Sequence, residues 1–197
     1  MLTIDENHIY RWDGEVVPGV NEILGDMGII QGQQFMTEES AAKGKRRHKV
    51  LEDWNEGILD WSTVAQEDYF YIMAWQEFCD DLGFVPQASE VQVYHPLWHY
   101  AGTLDVFGND DEDDWILDVK TGGSIPRWTR LQLSLYREAF RTTDEKYAPK
   151  LGVVHLREAK KKPYAFKEVD YTPDALAIVA SWQWANNKKE WIDERTG

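Results

Sequence analysis

GTLDVFGNDDEDDWILDVKTG, residues 102–122, decides the fold. Two apolar runs flank the acidic stretch 110–114, and each carries an aspartate, Asp105 in the first and Asp118 in the second. Lys120 follows two residues after Asp118. On a strand, residues two apart share a face, so Asp118 and Lys120 point one way and Val119 the other. An antiparallel hairpin centred between Asp111 and Glu112 sets Asp105 opposite Asp118. The run 89–95 reads as a third strand, and a turn at Leu97-Trp98 then sets Glu90 opposite Asp105. A bulge would shift either register by one residue.

Three carboxylates on neighbouring strands lie roughly 5 Å apart and repel one another. On a half-buried face they require a bound cation, a shared proton or an adjacent lysine. Oxygen donors at this spacing suit Mg²⁺ or Mn²⁺ rather than a thiolate-seeking metal. Lys120, on the same face, is placed to polarise a water or to stabilise developing negative charge. The competing reading is an open sheet face with ordinary surface ions, which the register of Asp105 with Asp118 disfavours. The acidic stretch lacks the glycine and terminal glutamate of a calcium-binding loop, so it reads as a solvated hinge.

Working outward, strands are expected over 100–107 and 115–120, then a helix over 125–141, strands over 151–157 and 164–169, and a last helix opened by Thr172-Pro173-Asp174. Upstream, Asp13-Gly14 marks a hairpin turn between 8–10 and 15–17, and a short helix covers 20–27. Thr37 caps a helix running to Asn55, and a second long helix spans 64–82 with Ile72, Trp75, Cys79 and Leu82 facing the core. On the first of these, Ala41, Gly44, His48, Leu51 and Asn55 form one stripe. Gly44 in mid-helix suggests close approach of another backbone, and His48 one turn later points inward. It is either a satisfied core histidine or, beside carboxylates, a metal ligand. On the helix over 125–141, Gln132 interrupts an apolar stripe of Trp128, Leu131, Leu135, Tyr136 and Ala139. Its amide must cap a core carbonyl or reach a substrate or Lys120.

The chain has 197 residues, 43% of them hydrophobic, with ten Trp, nine Tyr and seven Phe, which suits one folded α/β domain rather than disorder. Within it, 1–36 form an N-terminal hairpin and short helix, 37–170 the core, and 171–197 a C-terminal helix. The single Cys79 excludes an internal disulfide and a four-cysteine zinc or iron–sulfur site. No apolar stretch approaches the ~20 residues of a membrane span, and no secretory signal is visible, so a cytoplasmic setting is expected. The net charge of −14 argues weakly against nucleic acid, yet basic residues cluster locally: Lys43, Lys45, Arg46, Arg47 and Lys49, and again Lys160, Lys161 and Lys162. Arg127 and Arg130, near the start of the Gln132 helix, are candidates for phosphate contacts.

Four segments in order, AAKGKRRHKVLE, YAGTLDVFG, WILDVKTG and LQLSLY, resemble the PD-(D/E)XK nuclease superfamily, in its RecB-like and phage-type exonuclease branch. The resemblance spans about residues 44–136, and HIYRWDGEVVPGVNEIL is similar to the N-terminus of phage-type members. It implies a restriction-endonuclease-like α/β core with a central mixed sheet flanked by helices. It implies metal ligation of one or two Mg²⁺ or Mn²⁺ ions by His48, Asp105, Asp118 and the Val119 carbonyl, with Glu90 as an additional acid. Lys120 then aligns the attacking water, with Gln132 and Tyr136 as accessory groups, and Lys45, Arg46, Arg47, Arg127 and Arg130 meet DNA. No iron–sulfur cluster is implied, since the cluster cysteines are missing. Leu104 replaces the usual Pro before the first acid, and Gly19 and Asn21 stand where hydroxyl residues are common. The activity implied is a DNA exonuclease acting on single- or double-stranded ends in recombination, repair or degradation, within a bacterial host if phage-encoded. A structure-specific endonuclease and a non-catalytic DNA-binding or DNA-mimic protein are the alternatives. A homo-oligomer and a recombination or replication partner are both compatible with this branch.

Overall fold

The computed structural model describes residues 1–31, 37–143, 148–157 and 162–186. Lys160 and Lys161 of the second basic cluster, and the C-terminal stretch from 187, lie outside the described residues. A three-stranded sheet comes first, of β1 (Leu2–Ile4), β2 (Tyr10–Trp12) and β3 (Glu15–Val17), followed by α1 (Val20–Asp26). Then come α2 (Glu38–Asn55), α3 (Gln66–Leu82), β4 (Val85–His95), β5 (Tyr100–Asn109) and β6 (Asp114–Lys120). The chain continues through α4 (Thr129–Phe140), β7 (Lys150–Leu156), β8 (Tyr164–Glu168) and α5 (Thr172–Asn186). The main sheet runs in the order β4-β5-β6-β7-β8 and is mixed: β6 pairs parallel with β7 and the other pairs are antiparallel.

Helices cover both faces. On one face, α3 sends Ile72, Trp75 and Phe78 against Val106, Leu117, Val119 and Val154. On the other, α1, α4 and α5 bring Ile23, Leu133, Leu135 and Val179 against Leu104, Ile116, Leu151 and Val153. This is the α/β arrangement expected, a central mixed sheet flanked by helices. The Thr37 cap behaves as the sequence indicates, and a further cap closes α3. The Thr37 side chain accepts from the Ser40 amide at 3.1 Å, and Gly83 ends α3 in the left-handed conformation at φ 63°.

Four expectations differ, the first being that β4 begins at Val85, four residues before the expected start at Ser89. β1 is an added strand, too short at three residues for its period to be read. The helix expected from 125 begins only at Thr129, because Pro126 accepts from the Thr129 amide in a preceding turn at 3.2 Å. Gly44 meets no other backbone, since a Cβ there would find nothing within 4 Å. The N-terminal sheet docks on the main one: Trp12 stacks on Tyr94 at 4.2 Å, and the Tyr10 hydroxyl bonds Thr103 Oγ1 at 3.0 Å.

Candidate active site

The β5–β6 ladder runs in the expected register, Asn109↔Asp114 to Val106↔Leu117, and stops there. Asp105 and Asp118 are the next pair in that register, and the strands part at this point. Asp105 Oδ2 instead accepts from the Val119 amide at 2.8 Å. Glu90 is bracketed opposite Asp105 by the pairs Ser89↔Val106 and Val91↔Leu104. The three acids do not form a flat row, however. Leu104 packs with the α4-side core and Val106 with the α3-side core, although a regular strand keeps such residues on one face. The chain therefore turns over at Asp105. In β4, Glu90 sits at φ 50°, a left-handed conformation that costs a non-glycine residue about 1–3 kcal/mol and that concentrates at functional sites. The acidic loop is the expected hinge: Asp110 Oδ1 accepts from the Glu112 and Asp113 amides at 2.9 and 2.7 Å.

The turnover brings Glu90 and Asp105 toward α2. His48 Nδ1 lies 3.7 Å from Glu90 Oε1 and 3.9 Å from Asp105 Oδ2, and the three donor atoms all lie within 4.8 Å of one another. Two donors at about 2.1 Å from one ion lie at most about 4.2 Å apart, so a sub-ångström closure suffices for a shared Mg²⁺ or Mn²⁺. These residues and Val119 line a cavity of about 10 Å³, the size of a single small occupant. Asp105 above all, and Glu90 in addition, push the His48 imidazole up to about 9. A charged His48 thus offsets the acids in the metal-free protein, whereas an imidazole ligand must be neutral, so proton and cation compete.

Asp118 is 3% exposed, and its Oδ1 accepts from Lys120 Nζ at 2.7 Å. Its Oδ2 is buried without a hydrogen-bond partner. Burial, and Asp105 nearby, raise the Asp118 carboxyl above its ordinary value against the pull of Lys120. Burial alone would lower the Lys120 ammonium, but Asp118 and Asp105 outweigh it and keep the amine protonated. An orphaned buried carboxylate oxygen is costly unless something fills the position. The converging donors of His48, Glu90 and Asp105 suit a hard divalent ion, while Asp118, whose carboxyl interacts electrostatically with Asp105 and His48, stands outside that three-residue cluster.

From α4, Gln132 Nε2 donates to Asn21 Oδ1 at 2.8 Å and to the Tyr136 hydroxyl at 2.9 Å, while its Oε1 is buried and unpartnered. Neither a core carbonyl nor Lys120 is its partner; Asn21, which the sequence marked only as a departure, is. Tyr136 and Asn21 line a cavity of about 580 Å³ with Tyr10, Gly19 and Gly102, a volume typical of small-ligand sites. Gly102 is required there, because a Cβ would overlap the Tyr136 ring.

The basic residues of α2 part company. Arg46 Nε and Arg47 Nε bond Asp68 at 2.5 and 3.0 Å, and Asp68 is 1% exposed. Arg46 also pairs with Glu67, and Arg47 lies over the Tyr71 ring at 3.8 Å and donates to the Thr121 carbonyl at 3.3 Å. Both guanidiniums are thus spent in fastening α2 to α3, which the helical face alone did not reveal. Asp68 is one of five acids on α3, with Glu67, Glu77, Asp80 and Asp81, so nothing in the sequence singled it out as the partner. Lys45 is exposed, as is Arg127, while Arg130 is half-buried against Tyr171.

No protein-family model and no curated protein matches the chain. Solved structures do. The chain is similar to LHK-Exo in complex with dAMP, with a TM-score of 0.47 and 12% identity over 86% of this chain and 85% of that one. It is also similar to the alkaline exonuclease LHK-Exo from Laribacter hongkongensis, with a TM-score of 0.46 and 9% identity over 85% of this chain and 86% of that one.

Proposed function

We propose that the chain is a metal-dependent DNA exonuclease of the phage type that hydrolyses phosphodiester bonds. The observation that carries this reading is the buried Asp118 carboxylate, orphaned at one oxygen and bonded to Lys120 at the other, beside the His48–Glu90–Asp105 cluster. His48, Glu90, Asp105, Asp118 and the Val119 carbonyl would hold Mg²⁺ or Mn²⁺, which supplies polarisation of the phosphate and a lowered pKa for bound water.

The residues divide the remaining work. Hydrolysis bonds a water oxygen to phosphorus and breaks the P–O bond to the departing strand, whose oxygen takes up a proton as the water loses one. Lys120 Nζ, charged and a donor only, orients the water or neutralises a phosphate oxygen. Asp118 fixes Lys120 in place. Tyr136, held by Gln132, and Asn21 wall the adjoining cavity, into which a terminal nucleotide fits. Lys45, Arg127 and Arg130 supply local positive field against the overall negative charge, and Arg46 and Arg47 act by setting α2 and hence His48.

Digestion of 5′- and 3′-labelled single- and double-stranded DNA with Mg²⁺, Mn²⁺ or EDTA tests the reading. Metal-dependent release of nucleotides from open ends is expected, with end-blocked DNA resistant. Cleavage of end-blocked linear DNA would favour the endonuclease alternative, and binding without cleavage would favour a non-catalytic protein.

A further inference from the structure

The first turn of α4 borders a second cavity, of about 230 Å³, to which the hydrolysis above gives no ligand. Thr129, Arg127, Arg130 and Lys167 line it over a floor that includes Val153. Thr129 is 1% exposed and its Oγ1 is buried without a hydrogen-bond partner. Arg130 donates, among the described residues, to neutral groups, the Tyr171 hydroxyl at 2.6 Å and the Arg127 carbonyl at 3.1 Å. Among the described residues, no carboxylate pairs with Arg127, Arg130 or Lys167. Lys43, Lys49, Lys120, Lys150, Arg46, Arg47 and Arg137 all meet carboxylates; Arg11 and Lys45 lack a carboxylate ion pair among the described residues too, but neither lines the cavity, where three such cations converge.

The cavity lies on the same strip of sheet as the acids. Asp118 of β6 is in register with Val153 of β7, and Val153 with Lys167 of β8. Two strand spacings separate Asp118 from Lys167, roughly 10 Å. Trp128 stands between the two sites, with Lys120 Nζ 5.9 Å from its ring centroid. The polar side chains at the cavity are donors: two guanidinium forks, one ammonium and one hydroxyl without a partner. That set selects a tetrahedral oxyanion over any cation or neutral ligand.

We propose that this cavity seats a backbone phosphate of the bound DNA strand, next to the scissile linkage, with Thr129 Oγ1, Arg127, Arg130 and Lys167 as its ligands. The assignment rests on the nuclease reading and adds a fixed second anchor that sets how the strand lies across Asp118. Because Thr129 Oγ1 has no partner in the free protein, its hydroxyl serves only when the phosphate is present.

The test is a neutral-backbone scan. Binding of a short oligonucleotide in Ca²⁺ is measured with one methylphosphonate at each position in turn, for the wild type, Thr129→Val and Lys167→Gln. In the wild type, one non-scissile position should lower affinity about tenfold. The variants should bind the unmodified strand several-fold more weakly and show no further loss at that position. Lys167→Gln should also lower the salt slope of binding by about 0.7 on single strands. Thr129→Val should melt no lower than the wild type, since it removes an unpartnered buried hydroxyl. Equal affinity in all three proteins overturns the proposal. So does stabilisation by inorganic phosphate that Thr129→Val abolishes without any position effect, which would make the cavity a free-anion site. Mg²⁺-dependent cleavage by the wild type is run alongside. Cleavage without a position effect removes the anchor alone, whereas a wild type that neither cuts nor binds removes the nuclease reading beneath it.

Discussion

Asp68→Asn probes the fastening that holds His48 in place. Asp68 is 1% exposed and receives Arg46 at 2.5 Å and Arg47 at 3.0 Å. Removing one partner of a buried ion pair costs about 3–5 kcal/mol. Arg46 is 42% exposed and keeps Glu67, and Arg47 keeps the Tyr71 ring and the Thr121 carbonyl, so the loss here falls to about 2–3 kcal/mol. At about 2–4 °C per kcal/mol for a chain of this size, the melting temperature should drop by roughly 5–10 °C. The pH dependence has a definite sign. Burial raises the Asp68 carboxyl, but Arg46 and Arg47 outweigh it and hold it below its ordinary value. A carboxyl depressed in the folded state contributes its stability above its unfolded pKa, about 3.9, and loses it as the pH falls through the folded value. The gap between wild type and variant should therefore stay constant from pH 5 to 8 in thermal melts, and should survive added salt because the acid is buried. A gap under about 1 kcal/mol, or one that closes in salt, would show a solvent-screened pair and refute the latch.

Other substitutions test neighbouring parts of the account. Gly44→Ala should raise the melting temperature by about 2–4 °C, since the open space beside Gly44 accepts a Cβ and helix propensity gains about 1 kcal/mol. A loss of stability would mean that something packs there. Gly102→Ala should cost about 1–3 kcal/mol by driving the Tyr136 ring off its seat, with nuclease activity falling further than the melt accounts for. Full activity in a folded variant would remove Tyr136 from the site. Glu90→Gln and His48→Ala should each weaken Mn²⁺ binding, measured by calorimetry without DNA, by at least about tenfold; unchanged affinity would place the ion elsewhere.

The register was legible because the hairpin is symmetric about its acidic loop, which Asp110 folds by its own hydrogen bonds. The cap at Thr37 and the core stripe of α3 followed from local chemistry in the same way. Other features depend on contacts between elements distant in sequence, which periodicity does not encode. Glu90 turns the β4 backbone to φ 50°, and no residue pattern announces a kink at a glutamate. Arg46 and Arg47 read as a free basic face because their partner, Asp68, lies on another helix. Gln132 was recognised as a buried amide, but its bond to Asn21 spans 111 residues. Gly44 in mid-helix suggests a backbone contact, whereas the space beside it is open.

The central claim is that Asp118 and Lys120, joined at 2.7 Å, belong to a divalent-metal hydrolytic site. Its most direct test is the rate of Mg²⁺-dependent nucleotide release from linear DNA by the wild type, Asp118→Asn and Lys120→Met, each verified as folded by its melt. The wild type should cut only with the divalent ion, and each variant should lose at least about a hundredfold in rate. Undiminished Mg²⁺-dependent cleavage by either folded variant would contradict the account.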